Sequence, residues 1–378
     1  MLIAGGGPIG SAIALALSGS QLRVGLVGPG VVDADKRPIA LSHGSALILG
    51  RLGCNMPDSA TAITSIHVSQ QGRFGRTLIS CSEHRLPALG HVVPYDDLSR
   101  ATTLKVGQQR IDDQVGSIED RGAFAVALTR GGELSARLIV LADGGHLTET
   151  QKQSYAQVAL VGRIDADQPA AGRAFERFTP SGPLALLPAD NNNVNSTIRG
   201  ARAGGSYAMV WCMDPAQAAL LAAAGDAGFL AALQQCFGHR AGRFISAGAR
   251  NVFPLALRRA LQAPARCVTV GNAAQALHPV AGQGLNLGLR DGMELARLIR
   301  DCAPTDLGSP AFVSRFQAAR ATDRNAGVRV TDSLVRLFSN NDALAGLGRG
   351  AGLFMLDLLP APRRFLARRM MFGMRAIP

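Results

Sequence analysis

Residues 1–28 read MLIAGGGPIGSAIALALSGSQLRVGLVG. Their order decides the fold class: apolar run, glycine turn, small-residue helix, second apolar run. Leu2 to Ala4 reach the glycines after only a few residues, which predicts a short buried strand. Gly5, Gly7 and Gly10 stand in the spacing GxGxxG, residues 11–17 have helix-forming character, and residues 22–27 predict a second strand. In that context each glycine has a task. Gly5 permits the tight turn, Gly7 lets a pyrophosphate approach the backbone, and Gly10 lets helix and strand pack closely. A dinucleotide phosphate is expected on the helix N-terminus, where unpaired N–H groups and the helix dipole favour an anion. The alternative is a glycine turn that only packs a helix on a sheet. One element is missing. The second strand should end in an acid for the ribose hydroxyls, yet it runs out in Gly28 and Pro29. Asp33 or Asp35 in the next loop could take over, or water and backbone could.

Working outward, a second signal lies at 267–299, CVTVGNAAQALHPVAGQGLNLGLRDGMELARLI. Residues 267–270 predict a β-branched strand broken by Gly271. Gly282, Gln283 and Gly284 form a tight turn, and residues 285–299 predict a helix from the apolar spacing of Leu285, Leu289, Met293, Leu295, Leu298 and Ile299. A nicotinamide dehydrogenase has no need of a second such turn so far along the chain. A flavin that spans a domain does.

This block resembles the GDxAHxxxPxxGQGxNxGxxD signature of the class A flavoprotein monooxygenases. RPIALSHGSALILGRLG at 37–53 and LIVLADGG at 138–145 are similar to two further blocks of that family, in the expected order. Within it, four stretches resemble the 2-polyprenyl-6-methoxyphenol hydroxylases of ubiquinone biosynthesis: ATAITSIHVSQQGRFG at 60–75, GRAFERFTPSGPLALLP at 172–188, GNAAQALHPVAGQGLNLGLRD at 271–291 and TDSLVRLF at 331–338. The short MVWC at 209–212 adds a weaker likeness, and Asn272 in place of the usual Asp is a feature of that subgroup.

The resemblance implies an α/β fold: a Rossmann-like FAD-binding domain with an inserted β-sheet substrate domain and C-terminal helices. It implies FAD as cofactor and NADPH or NADH as reductant, with O2 and a polyprenyl phenol as substrates. Gly5, Gly7, Gly10, Arg37 and Asp143 would bind cofactor, as would Gly271, Asn272, Pro279, Gly282, Gln283, Gly284, Leu285 and Asn286. Asn272 would hold the ribityl hydroxyls, Arg37 would lie near the flavin phosphates, and Gly282–Gly284 would bring N–H groups to the ring edge. Asp143 matches the DG element, but Leu147 stands where a Ser is usual, so the nicotinamide contribution of that segment is open. His278 and Pro279 are the catalytic candidates, with His278 equally readable as a structural neighbour of the loop. Residues 1–60, 96–150 and 256–345 would form the FAD domain, 61–95 and 151–255 the substrate part, and 346–378 a helical tail.

Composition bounds the rest. Hydrophobic residues are 47% and charged residues 17% of 378, a globular balance on the apolar side. The net charge of +12 admits nucleic acid, an anionic membrane surface or a merely solvated basic surface. The arginines are scattered without a basic-aromatic motif, so no nucleic acid is expected. The six cysteines form no CxxC pair and no His cluster joins them, so neither a metal site nor a disulfide framework is expected. The first residues could pass for a signal peptide but lack a basic start, and no apolar window reaches a membrane span. A cytoplasmic, soluble protein is expected. Its tail, LFMLDLLP and RRFLARRMMFGMR within 353–375, interleaves apolar residues with five Arg. It reads either as a basic segment lying on the inner face of the membrane or as a helix packed on the domain. Other ubiquinone-biosynthesis proteins are further candidate partners. The rival readings are another flavin oxidoreductase, a catalytically quiet flavin-binding scaffold of a biosynthetic complex, and a chain that has lost the flavin. A halogenase fits poorly, because Trp211 is the sole Trp.

Overall fold

The computed structural model describes residues 1–29, 35–107, 110–189, 205–278, 282–338 and 343–373. The first glycine stretch forms the strand Leu2–Ala4, the helix Pro8–Ala16 and the strand Gly25–Val27. Both strands are buried and short because their apolar runs are only three residues long. They pair in parallel, Leu2 against Gly25 and Ala4 against Val27. On its other side Leu2–Ala4 pairs in parallel with Ile139–Leu141, which pairs in turn with Cys267–Thr269. Arg110–Ile111 completes the sheet beyond Gly25–Val27. The chain therefore leaves Leu2–Ala4 towards one neighbour and returns to the other, which opens a crevice at the carboxyl end of that strand.

Two layers cover this sheet. On one face the helices Pro8–Ala16, Gln283–Arg300 and Pro310–Phe338 bury Ile13, Leu17, Leu295, Leu298, Phe312 and Phe316 against Ile3, Val140 and Val268. On the other face an antiparallel meander, Val115–Asp120, Ala125–Thr129 and Gly132–Ala136, packs against Leu2, Ala4, Ile139 and Leu141. Strand residues of opposite parity thus feed two cores, as a sheet covered on both faces requires.

A second sheet has eight strands. Its order is Gln275–Ala276, Phe244–Ala260, Thr150–Ala166, Gly205–Met213, Gly182–Pro188, Arg173–Thr179, Ser65–Gln70 and Arg76–Ser80. One face buries Phe175, Leu184, Leu186, Tyr207, Met209 and Trp211 under the helices Pro215–Ala223 and Asp226–Phe237. The alternate residues face a cavity. A small antiparallel sheet of Pro38–Ser42, Gly90–Pro94 and Thr61–Ile63 links the two large ones. The alternating run 62–68, which by its sequence suits a strand of the sheet over the site, is thus two strands in different sheets. They break at Thr64, whose N and Oγ1 both donate to the Gly172 carbonyl.

By its sequence the region after Arg100 is short for a family that usually has a longer helix there; the structure has a helix at Tyr95–Val106, of 12 residues. The tail forms two helices, Ala343–Leu358 and Pro360–Phe372. They part at Pro360, which suits the first turn of a new helix but not the interior of an old one. Both are anchored to the second sheet and its hairpin. Asp357 accepts from Leu78 N at 2.9 Å, Arg363 binds Glu83 at 3.0 Å, and Ala367 and Met371 pack on Ile79 and Leu89. No described helix is long and apolar enough to cross a membrane. The run 191–205, which three consecutive Asn and several Gly mark as a loop by sequence, lies outside the described residues, save its last residue, Gly205, which begins a strand.

Candidate active site

The first glycine turn is shaped by close contacts. Gly5 turns out of its strand at φ +124°, and a Cβ there would stand 2.4 Å from the Ala142 carbonyl. A Cβ at Gly10 would stand 1.9 Å from the Gly5 carbonyl oxygen, which is why helix and strand can approach so closely. Gly7 begins the helix in an extended conformation, with no side-chain cap and Pro8 behind it. The N–H groups of that first turn are left for a ligand.

The strand end that should carry an acid has a steric reason for lacking one. A Cβ at Gly28 would lie 2.2 Å from the Gly6 nitrogen. Of the two acids considered as substitutes, Asp33 lies outside the described residues. Asp35 is committed to Arg37, whose Nε donates to it at 2.7 Å and whose Nη2 makes a second bond. Those bonds hold the Asp35 carboxyl below its ordinary range. Arg37 itself lines the cavity and lies over the rings of Tyr95, at 5.8 Å, and Phe253, at 5.7 Å.

The second turn presents a matching end. Gly271 and Gly282 both have φ +58°, and Gly282 starts the helix Gln283–Arg300 with no side-chain cap. The helix begins two residues before the expected 285, so Gln283 and Gly284 belong to its first turn. Gln283, Gly284 and Leu285 line the same cavity as Gly5–Gly7. Asn272 is exposed to it, with Oδ1 3.9 Å from where a Gly284 Cβ would be. Asn286 lines the cavity too, and its side chain is bonded within the protein. Its Nδ2 donates to the carbonyls of Ala40 (2.9 Å) and Gly282 (2.7 Å), and its Oδ1 accepts from Ser42 N at 2.8 Å. That staple fixes the helix start against the strand Pro38–Ser42. Asp143 also lines the cavity and caps its own turn, accepting from Gly145 N (3.4 Å) and Leu147 N (2.7 Å).

His278 reaches the cavity wall from a loop hung on the edge strand Gln275–Ala276. Its ring is 1% exposed and meets Tyr155 edge-on at 5.0 Å. Burial pushes its pKa down to about 4, so the imidazole is neutral at neutral pH and a weak proton acceptor there. Pro279 lies outside the described residues.

The cavity that joins these groups has a volume of about 1370 Å³. It runs from the two glycine turns to the second sheet, where Ile66, Val68, Ala174, Phe178, Leu187 and Val210 face it, and Leu353, Leu356, Met370 and Met371 of the tail helices close its far side. This is the shape a long cofactor with an apolar co-substrate would need. The uncapped helix starts, the glycines at contact distance and the exposed amide of Asn272 fit a flavin dinucleotide. Sequence reasoning missed two contributors. The tail helices wall the cavity, which no local signal announces. Glu176 also lines it, from the middle of an apolar strand face. There the signal was readable: strand period puts Ala174, Glu176 and Phe178 on one face.

No family model matches the chain. Its relatives are more telling. It is 31% identical to an uncharacterised protein of Synechocystis, slr1300, covering 98% of this chain and 92% of that one. It is 30% identical to the ubiquinone hydroxylase UbiL of Rhodospirillum rubrum, covering 82% of this chain and 67% of the relative. It is 26% identical to the 3-demethoxyubiquinol 3-hydroxylase of Escherichia coli over 94% of each. Among solved structures, a variant of HpxO from Klebsiella pneumoniae complexed with FAD superposes with a TM-score of 0.74 at 15% identity, over all of this chain and 98% of that one. The p-nitrophenol 4-monooxygenase PnpA of Pseudomonas putida gives 0.72 at 15%, over 99% and 98%. The structures share the fold, the sequences share the branch, and the chain belongs to the FAD-dependent aromatic hydroxylases of ubiquinone biosynthesis.

Proposed function

We propose that this enzyme uses NADPH or NADH and O2 to hydroxylate the ring of a polyprenyl phenol, of the 2-polyprenyl-6-methoxyphenol type. The observation that carries this reading is the single cavity shared by two uncapped helix starts and an apolar sheet face. FAD, when bound and reduced, supplies the activated oxygen that enters the ring. The chain's residues do the rest. Gly5–Gly7 and the start of Pro8–Ala16 would hold the phosphates, with Arg37 beside them. Asn272 would hold ribityl hydroxyls, and Gln283 and Gly284 would turn N–H groups towards the ring edge. The apolar face of the second sheet would hold the phenol and exclude water. The FAD domain would comprise 1–60, 96–150 and 256–345, the substrate part 61–95 and 151–255.

The same reading includes a peripheral seat on an anionic membrane, through the tail helices and alongside other ubiquinone-biosynthesis proteins. Phe354, Leu358, Phe365 and Met355 are large, apolar and 48–62% exposed, and the exposed Arg364 and Arg368 flank them. Basic and apolar residues together are what an interfacial helix uses.

The test is an absorption spectrum of the purified protein, followed by anaerobic mixing with NADPH and aeration with a short-chain 6-methoxyphenol analogue. Flavin absorption that bleaches, followed by hydroxylated product, is the expected result. Bound flavin that neither nicotinamide reduces favours a scaffold. Co-sedimentation with vesicles containing anionic lipid, lost on F354S/F365S substitution, tests the membrane seat.

A further inference from the structure

Glu176 stands in a register row that crosses the second sheet on its cavity side. Thr77 pairs with Val68, Val68 with Glu176, Glu176 with Ala185, and Ala185 with Val210. All five line the cavity. Along its own strand, Ala174 and Phe178 flank Glu176 on the same face. A carboxyl is thus set in the centre of a floor that is apolar apart from Thr77 at the end of the row, and no described partner in the fold uses it. A polar group in such surroundings costs free energy unless something binds it.

The other described acid of the cavity lining, Asp143, accepts from two backbone N–H groups of its own turn and lies on the glycine-turn side rather than on the sheet. On the sheet face, the titratable neighbour of Glu176 is Cys212, whose thiol burial pushes up, out of the range where it ionises. The neighbouring Arg177 points to the opposite face, donating to the Cys236 carbonyl and to Ser69 Oγ. Around the rest of the cavity stand Arg37, Tyr95, His146, His278 and Arg349. Of these, Arg37 is bound to Asp35 and His278 is neutral at neutral pH.

We propose that Glu176 is the catalytic base that binds the substrate's phenol hydroxyl and accepts its proton. This rests on the phenol reading above. The phenol O–H bond breaks, the proton goes to a Glu176 carboxylate oxygen, and the electron pair stays on the phenol oxygen, from which it enriches the ortho and para carbons. The ring becomes a better nucleophile towards an electrophilic oxygen without any covalent help from the protein. As the product re-aromatises, the hydrogen displaced from the oxygenated ring carbon goes as a proton to the phenol oxygen and restores its hydroxyl, and the proton held by Glu176 goes to the oxygen atom that leaves as water. Desolvation raises the Glu176 pKa to about 7. A base is most effective when its pKa lies near the working pH.

The test compares wild type, E176Q and E176D as FAD-loaded proteins, with 6-methoxyphenol analogues made progressively more acidic by ring fluorination. Flavin absorbance first establishes that each variant is loaded. The expected result for E176Q is a kcat roughly 10²-fold lower, a KM changed far less, and loss of the rise in kcat around neutral pH. The deficit should shrink as the phenol becomes more acidic, and E176D should recover part of the rate. Should E176Q fail to take up FAD, E176D carries the comparison with the same acidity series. An E176Q protein with wild-type rate and pH profile overturns the assignment, and so does a loss, in either variant, that is equal for weak and strong phenol acids. Wild-type enzyme that binds FAD yet turns over no phenol overturns the phenol reading itself, and this role with it.

Discussion

Gly288 and Ile9 are in direct backbone-to-methyl contact: a Cβ added at 288 would stand 2.3 Å from Ile9 Cδ1. Gly271 meets the same methyl, at 2.4 Å from its added Cβ, and Gly292 meets Ile13 Cγ1 at 2.8 Å. Ile9 and Ile13 thus enter a groove formed by Gly271 and by Gly288 and Gly292, which stand one helical turn apart. The contact joins the helix behind the first glycine turn to the helix behind the second. It sets the distance between the two ends of the proposed flavin site.

G288V should therefore separate the two ends. Overpacking of this kind costs about 1–3 kcal/mol. We expect a lower thermal midpoint and a weaker FAD affinity together, measured by calorimetry and by flavin retention on dialysis. A loss of stability with flavin affinity unchanged would show that the site does not depend on this spacing.

G28D restores the acid that the second strand lacks. It should not improve cofactor binding, because the Cβ would lie 2.2 Å from Gly6 N and must displace the phosphate turn. The expected outcome is reduced FAD affinity, read by fluorescence titration. Tighter binding would mean that the turn yields easily.

Asp291 binds Arg320 at 2.6 Å and Arg324 at 2.8 Å, and Arg320 also binds Asp323 at 2.5 Å. Asp291 and Arg320 side chains are 1% and 5% exposed. Arg324 also donates to the Thr269 carbonyl at 2.8 Å, at the end of the strand Cys267–Thr269. D291A leaves two guanidinium groups short of a partner in the interior, so a loss of about 3–5 kcal/mol is expected, visible as a lower urea midpoint. D291N, which keeps one acceptor, should lose less.

Acid should weaken the fold through two buried imidazoles. His67 and His278 each have a pKa pushed down to about 4, first by desolvation. Unfolded, they bind protons near pH 6.5, so their contribution is full above that value and is lost as pH falls towards 4. Each is worth up to about 3 kcal/mol by that window. Urea midpoints at pH 7 and pH 4.5 should differ less in H278N than in wild type; an equal difference would refute the assignment.

Glu176 should act in the opposite direction. Its folded pKa of about 7 lies above its unfolded value, so its contribution is full at acid pH and is lost as pH rises towards 7. In the flavin-free protein, E176Q should be more stable than wild type at pH 8, on the order of 2 kcal/mol after allowance for cavity water, and equal to it near pH 4. This measurement needs neither cofactor nor substrate.

The sequence alone determined the fold class and pointed to both ends of the proposed nucleotide site. Glycine spacing and apolar run length are local properties, and backbone sterics at Gly5, Gly10 and Gly282 act within a few residues. Other features depended on residues far apart in the chain. The apolar alternation near 62–68 was legible, but its division between two sheets was not, because Gly172 imposes the break at Thr64. Asn286 lines the cavity with its motif neighbours, and only the tertiary structure shows that its side-chain amide also ties the helix start to Ala40, Ser42 and Gly282. The absent ribose acid was a gap in the sequence and a steric necessity in the fold. Glu176 sat in a strand like any other polar residue until the sheet turned that face inward and the tail helices, nearly two hundred residues later, closed the cavity over it. Burial is a property of the whole packed chain, and it is desolvation in that cavity that raises the Glu176 pKa and underlies the role proposed for it.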